Sequence, residues 1–145
     1  MDVARTSKDI VLRLGSGLHE RIFSASGGRL LGSISGMAVV RLATIGRKSG
    51  KPRTTMLTAP VHSDDRVVLV ASYGGDERHP AWFLNLRENP GVEVTMRGRT
   101  RNMRARVASP EEKAELWPQV TKAYRGYASY QRRTTRDIPL VILEP

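Results

Sequence analysis

The segment that decides the fold is MAVVRLATIGRKSGKPRTTMLTAPVH, residues 37–62. Its outer parts, 37–46 and 53–62, are apolar and rich in β-branched residues, whereas the middle has the composition of a turn. A third apolar run, RVVLVASYG at 66–74, follows a short polar stretch. The pattern predicts three consecutive antiparallel strands. The turn also concentrates positive charge, on Arg47, Lys48, Lys51 and Arg53.

Further elements follow along the chain. HPAWFLNLREN, 79–89, predicts a short helix with Trp82 and Leu86 on its inner face, since Pro80 suits a first helical position and Asn89-Pro90-Gly91 ends it. GVEVTM and NMRARVA, at 91–96 and 102–108, predict a hairpin. Its inward residues are expected to be Val92, Val94, Met96, Met103, Ala105 and Val107.

The carboxyl-terminal third begins with a helix signal. Ser109, Pro110 and Glu112 form a capping box that predicts a helix start. This helix should be bent or restarted at Pro118 and weakened at Gly126, and IPLVILE at 138–144 should close the chain as a strand.

Six strands, two or three peripheral helices and no repeating strand-helix-strand pattern predict a mainly β (α+β) fold, a small antiparallel barrel. At 145 residues the chain is expected to be one domain. Residues 1–38 are interpreted as a variable leader, with a broken amphipathic helix at 8–23 and a glycine- and serine-rich loop after it. The barrel domain is expected at 39–145.

Composition limits the chemistry. A net charge of +10 and a pI near 10.8 favour anionic partners. The chain has no cysteine, its histidines lack paired spacing, and it has no GxSxG motif, so neither a metal site nor hydrolase chemistry is predicted. The amino terminus has no apolar stretch of signal-peptide or membrane-spanning length, which favours a cytoplasmic protein, soluble or peripheral on a membrane.

Three groups of residues could carry a function. The basic turn could bind phosphate or carboxylate oxygens, or be an exposed hairpin tip. Gly74-Gly75, with Trp82 and Asn85 nearby, could admit a planar heterocycle, or end a strand while Trp82 packs in the core. Tyr124, Tyr127 and Tyr130 recur at every third residue and could line a pocket as proton donors, or pack half-buried.

Four stretches together resemble the deazaflavin-dependent nitroreductase family: TIGRKSGKPRTTML, VVLVASYGGDERHPAWFLNLRENPGVEV, ELWPQVTKAY and IPLVILEP. The resemblance runs from about Val39 to Pro145. Members of this family use reduced coenzyme F420, a deazaflavin, and several are quinone reductases. The resemblance implies an actinobacterial reductase with a split β-barrel like that of FMN-binding proteins.

The resemblance also implies roles for single residues. Arg47, Lys48 and Arg53 would hold the phosphate and acidic tail of the cofactor, and Met56 would lie below its ring. The ring and its linker would be surrounded by Ser72, Tyr73, Gly74, Ala81, Trp82 and Asn85. Tyr127, helped by Ser72 and flanked by Tyr124 and Tyr130, would orient or protonate the acceptor. Tyr73 stands where many members carry lysine, so one cationic contact is missing.

The expected reaction is hydride transfer from the reduced deazaflavin to a quinone, enone or nitroaromatic compound. Menaquinone is one such acceptor, and the basic charge could bring the protein to a membrane that contains it. The alternatives are an FMN-binding split-barrel oxidoreductase, a non-catalytic carrier of cofactor or lipid, and a nucleic-acid-binding barrel. Arginines 97, 99, 101, 104 and 106 suggest the last, although the hairpin has no interleaved aromatic residues. The physiological acceptor and the oligomeric state stay open.

Overall fold

The computed structural model describes residues 33–34 and 36–145, so the predicted leader helix at 8–23 lies outside the described residues. The first half of the described chain forms strands: β1 (Ser33–Ile34), β2 (Met37–Ile45), β3 (Pro52–Ala59), β4 (Val61–Ser63) and β5 (Arg66–Val70). A 3-10 turn (Tyr73–Gly75) and helix α1 (Ala81–Glu88) follow. The second half contains β6 (Gly91–Met96), β7 (Arg99–Val107), α2 (Pro110–Ala123), α3 (Gly126–Arg133) and β8 (Leu140–Glu144).

One antiparallel sheet contains all the described strands. Its order is β1-β2-β6-β7-β8-β5-β4, and β3 also pairs with β2. Only Pro60 separates β3 from β4 in sequence, although the two strands belong to opposite ends of the sheet. The sheet must therefore curl until these ends meet, which produces a half-barrel.

The predicted meander is only partly right. β2 and β3 form the expected hairpin, with Leu42 opposite Thr55 and Ile45 opposite Pro52. The single strand predicted at 53–62 is instead broken at Pro60, because proline cannot donate a hydrogen bond to a ladder. The third strand, β5, pairs with β4 and β8 rather than with β3. Ser33–Ile34, expected in a loop, pairs with β2.

The core has an interior and an outer part. The half-barrel interior is filled by side chains such as Val40, Leu42, Leu69 and Val94, with Trp82, Phe83 and Leu86 of α1 closing it. Alternate residues of β5 and β8 point outwards, since side chains of a strand alternate between its faces. There Val68, Val70, Leu140 and Ile142 pack beneath α2 and α3.

The predicted β6–β7 hairpin is confirmed and turns at Arg97-Gly98. Both turn residues have positive φ angles, 53° and 78°, as a type I′ turn requires. The prediction that Val107 points inwards is wrong, because Val107 is 44% exposed. It is the last residue of β7, where the chain leaves the sheet towards the cap of α2.

The predicted capping box is confirmed: the Glu112 amide donates to Ser109 Oγ, and the Ser109 amide donates to the Glu112 carboxylate. Helix α2 continues through Pro118 instead of restarting there. The break comes at Tyr124, whose backbone is extended, and Gly126 then starts α3.

Within residues 33–34 and 36–145, no helix is long and apolar enough to cross a membrane. The same part of the chain contains no group of three histidine or acidic side chains placed to hold a metal ion.

Candidate functional site

The outer face of β3 lies beside the tyrosines. Leu57 and Ala59 pack against the interior core, so Met56 and Thr58 lie on the opposite face. Thr58 Oγ1 and the Tyr127 hydroxyl are hydrogen-bonded at 2.7 Å. The structure thus brings Tyr127 next to the strand face that carries Met56. Both residues were predicted to belong to one site.

The three predicted tyrosines form one cluster. Tyr124 ends α2, and Tyr127 and Tyr130 lie on α3, with ring centroids 5.2 to 6.3 Å apart and edge-to-face packing. Tyr127 is buried, whereas Tyr124 and Tyr130 are partly exposed. The cluster therefore presents two accessible phenols around one buried phenol.

The environment keeps the phenols of Tyr127 and Tyr130 protonated. Burial raises the pKa of Tyr127, although the hydrogen bond with Thr58 opposes this shift. A hydrogen bond with Tyr124, together with burial, raises the pKa of Tyr130 to about 12. At neutral pH these hydroxyls can act as hydrogen-bond donors to an oxygen that gains negative charge.

The basic turn between β2 and β3 is closed by its own backbone. The Gly46 amide donates to the Lys51 carbonyl, and the Gly50 amide donates to the Gly46 carbonyl, both at 2.8 Å. Gly50 has a φ of 69°, which favours glycine. Lys48, Lys51 and Arg53 are exposed, and no acidic side chain of the described residues pairs with them. The turn can therefore offer several cations to an anion.

Asn85 connects this turn to α1. Its Oδ1 accepts hydrogen bonds from the Arg47 amide at 3.2 Å and from Arg47 Nη1 at 3.0 Å. Its Nδ2 donates to Thr44 Oγ1 at 3.3 Å. Asn85 and Thr44 are only 4% and 1% exposed. Predicted as a direct contact of the cofactor, Asn85 here fixes the direction of Arg47.

The segment after β5 has an unusual backbone. Tyr73, Gly74 and Gly75 have φ angles of 45°, 63° and 84°, all in the left-handed region. A Cβ on Gly75 would lie 2.9 Å from the Tyr130 carbonyl oxygen, so this glycine allows α3 to pack directly on the turn. The turn at Tyr73–Gly75 and the tyrosine cluster therefore adjoin each other. Ser72, directly before this turn, is 8% exposed, and its hydroxyl has no hydrogen-bond partner among the described residues.

Ala81 and Trp82 begin α1. Ala81 is exposed, whereas Trp82 is 9% exposed and belongs to the interior core. Most of the Trp82 side chain is thus buried in the core, as the alternative interpretation of Trp82 as a packing residue expects. Little of its surface therefore remains for a ligand.

Sequence reasoning missed Thr44, Thr58 and Arg136. The two threonines lie in strands where they look like ordinary β-formers, and Arg136 lies in a polar segment before the last strand. No local pattern separates them from their neighbours. Their partners are 41, 69 and 64 residues away in sequence, so only the folded chain identifies them.

The arginines of the β6–β7 hairpin are partly structural. Arg106 bridges the carboxylates of Glu112 and Glu144, and Arg101 donates to the carbonyl of Asp64. These contacts reduce the number of arginines that could follow a phosphate backbone.

Comparison with known proteins identifies the family. The profile of the F420H(2)-dependent quinone reductase family matches residues 16–145. The chain belongs to this family. An F420H(2)-dependent quinone reductase of Mycobacterium tuberculosis is 38% identical over 130 residues, which are 87% of each chain. The protein is thus an F420H(2)-dependent reductase, as the sequence predicts, and the mycobacterial relative agrees with the predicted actinobacterial character.

Two solved structures confirm the predicted split-barrel fold. One, described as an F420-H2 dependent reductase, is 38% identical with a TM-score of 0.67, over 73% of this chain and 93% of that one. Another, described as a domain-swapped dimer, is 33% identical with a TM-score of 0.68, over 88% and 96% of the two chains.

Proposed function

We propose that this family member transfers two electrons from reduced coenzyme F420 to a quinone. The cofactor would lie on the outer face of β3, between the basic turn and the tyrosine cluster. The observation that carries this placement is the 2.7 Å hydrogen bond between Thr58 and Tyr127, which puts the cluster beside the Met56 face. Since β3 starts at Pro52, directly after the basic turn, one strand connects both ends of this site.

The side chains present suit a long acidic molecule with a flat ring. Arg47, Lys48 and Arg53 would hold the phosphate and carboxylates through charge-assisted hydrogen bonds. The Ser72 hydroxyl, buried and without a partner in the described residues, would bond to the ring together with the backbone of Tyr73 and Gly74. Met56 would pack below the ring, and Ala81 and Trp82 beside it. When bound, the reduced deazaflavin supplies the electron pair and its hydrogen as a hydride.

The tyrosines would assist the acceptor. Tyr124 and Tyr130, whose rings are accessible, would donate hydrogen bonds to the oxygen that gains charge when the quinone takes up the hydride. Tyr127 would fix their arrangement and, with Ser72, orient the acceptor. A proton delivered to the quinone oxygen completes the two-electron reduction to the hydroquinone.

The acceptor site is expected to tolerate related molecules. An enone or a nitroaromatic compound presents a similar flat, electron-poor face with an oxygen that gains charge. Menaquinone is proposed as the natural acceptor, reached by peripheral association of the basic protein with an anionic membrane surface.

A spectrophotometric assay tests cofactor and reaction together. The protein is mixed with F420H(2) and a menaquinone analogue, and in parallel with NADPH or reduced FMN as the donor. Oxidation only with F420H(2) supports the proposal, whereas preference for reduced FMN favours an FMN-dependent split-barrel enzyme. Binding of F420 without turnover of quinone, enone or nitroaromatic acceptors would instead indicate a cofactor carrier.

A further inference from the structure

Arg136 connects two distant segments of the chain. It lies between α3 and β8, and its side chain reaches the segment Ser72–His79. Nη2 donates to the Ser72 carbonyl and Nε to the Asp76 carbonyl, both at 2.9 Å, and Nη1 lies 3.2 Å from His79 Nδ1. One planar guanidinium thus contacts the start, the middle and the end of the segment.

The segment held in this way needs support. Its three consecutive left-handed residues include Tyr73, and this conformation is unfavourable for a residue with a side chain. The Ser72 carbonyl also accepts the Gly75 amide at 2.9 Å, the hydrogen bond that closes the turn. Arg136 therefore bonds to the same oxygen that defines the turn.

Arg136 is itself held in place. Its carbonyl accepts a hydrogen bond from Gln131 Nε2 at 2.8 Å, and its amide donates to Thr134 Oγ1 at 3.3 Å. Thr135 beside it donates to Glu77 through its amide and its hydroxyl. The backbone of Arg136 is thus held in place, and its side chain contacts the Ser72–Gly75 turn from a defined position.

We propose that Arg136 is a positioning residue for cofactor binding: it maintains the Ser72–Gly75 turn in the conformation that receives the deazaflavin ring. It acts through the Ser72 and Asp76 carbonyls and does not contact the ring. This inference rests on the proposed function, because the turn matters only if the cofactor binds there. Lysine cannot replace Arg136, since an ammonium lacks the planar fork that reaches several acceptors at once.

The test compares Arg136→Lys and Arg136→Gly with the control Thr135→Val. The control removes the hydroxyl bond to Glu77, another connection between the same two segments, and keeps the amide bond to that carboxylate. Amide hydrogen exchange at Gly75 reports the closed turn in the free protein, and titration with oxidised F420 reports affinity. Kinetics with F420H(2) and a menaquinone analogue separate kcat from KM.

We expect both Arg136 variants to exchange the Gly75 amide at least about tenfold faster and to bind F420 at least about tenfold more weakly, as for a lost charged hydrogen bond. KM for F420H(2) should rise while kcat stays within about threefold, because the chemical groups are unchanged. Guanidinium ion below denaturing concentrations should restore F420 affinity to Arg136→Gly. Thr135→Val should bind F420 nearly as the parent does, and guanidinium ion should leave its affinity unchanged.

Three results would overturn the inference. Unchanged Gly75 exchange in both variants would show that Arg136 does not hold the turn. Faster exchange with unchanged F420 affinity would make Arg136 a purely structural residue while the proposed function stands. A parent protein that binds no F420 would remove the proposed function and this inference together. This outcome differs from the first two because the parent protein, and not only its variants, fails to bind.

Discussion

At the scale of single residues, Asn85 shows how a buried amide can direct an exposed cation. Its two polar atoms are occupied by Arg47 and Thr44, so a ligand could use Asn85 directly only through the remaining amide hydrogen. The residue-by-residue resemblance placed Asn85 at the cofactor. The geometry gives it a second task, which explains why an amide is needed in an otherwise apolar helix face.

Replacing Asn85 by leucine should therefore have two effects. The Thr44 hydroxyl loses the amide that donates to it and the Arg47 amide loses its acceptor, which should lower the free energy of unfolding by about 1 to 3 kcal/mol. Arg47 is also freed from α1, so F420 affinity should fall. Chemical denaturation and F420 titration measure these effects. Asn102→Ala, on an exposed part of β7, is the control, and equal effects in both variants would contradict the positioning of Arg47 by Asn85.

The pair Tyr127 and Thr58 allows a similar test. Tyr127→Phe should lower the free energy of unfolding by about 1 kcal/mol and slow single-turnover oxidation of F420H(2), because Thr58 loses its partner and the cluster loses a hydroxyl. Thr58→Val breaks the same hydrogen bond but retains the phenol, so it should slow the reaction less. Equal rates of parent and Tyr127→Phe with several acceptors would remove Tyr127 from the reaction.

At the scale of elements, strong local patterns predict structure well. The β2–β3 and β6–β7 hairpins and the start of α2 were predictable because turn composition and the capping box act within a few residues. At Pro118 the pattern left a bend or a restart open. The helix does not restart, since packing of Leu116 and Val120 on the outer core compensates for the lost backbone hydrogen bond.

The start of α2 makes stability depend on pH. Glu112 has a pKa of about 2, lowered from 4.5 mainly by hydrogen bonds from Arg106 and then from the Ser109 amide. A carboxyl group with a lowered pKa stabilises the fold above its unfolded value, so this contribution is present above about pH 5 and is lost as the pH falls towards 2. Urea denaturation across this range should show less acid sensitivity in Glu112→Gln. If the free energy of unfolding had the same pH dependence in parent and variant, the stabilising role of the Glu112 carboxylate would be contradicted.

The junction of α2 and α3 determines the tyrosine geometry. A Cβ on Gly126 would collide with the Tyr124 ring, so Gly126→Ala should turn that ring and break its hydrogen bond with Tyr130. The pKa of Tyr130 should then fall from about 12 towards its ordinary value near 10, which ultraviolet titration can follow. Gly91→Ala is the matched control, since a Cβ there meets nothing within 4 Å. An unchanged titration curve in Gly126→Ala would contradict the account.

At the scale of the whole molecule, the candidate site combines segments that are far apart in sequence. The strand face around Met56, the turn around Gly74 and the tyrosine cluster meet only because the sheet curls and α3 packs on the turn. The sequence predicted these groups singly, and the family resemblance placed them in one site. Thr44, Thr58 and Arg136 could not be found in that way, because their roles depend on partners brought together by the curled sheet.

The net charge of +10 also acts at this scale. It would accelerate the approach of an acidic cofactor from any direction, and the exposed cations of the basic turn would hold it at one end of the site. General attraction of anions is thus distinct from specific binding of F420. Only specific binding requires the proposed site for the deazaflavin ring.

Calorimetric titration of the parent protein with oxidised F420, compared with FMN, tests the central claim most directly. The account predicts saturable binding of one F420 per chain and much weaker binding of FMN, which has a ring and a single phosphate but no acidic tail. Absence of saturable F420 binding at two temperatures, or tighter binding of FMN, would contradict it.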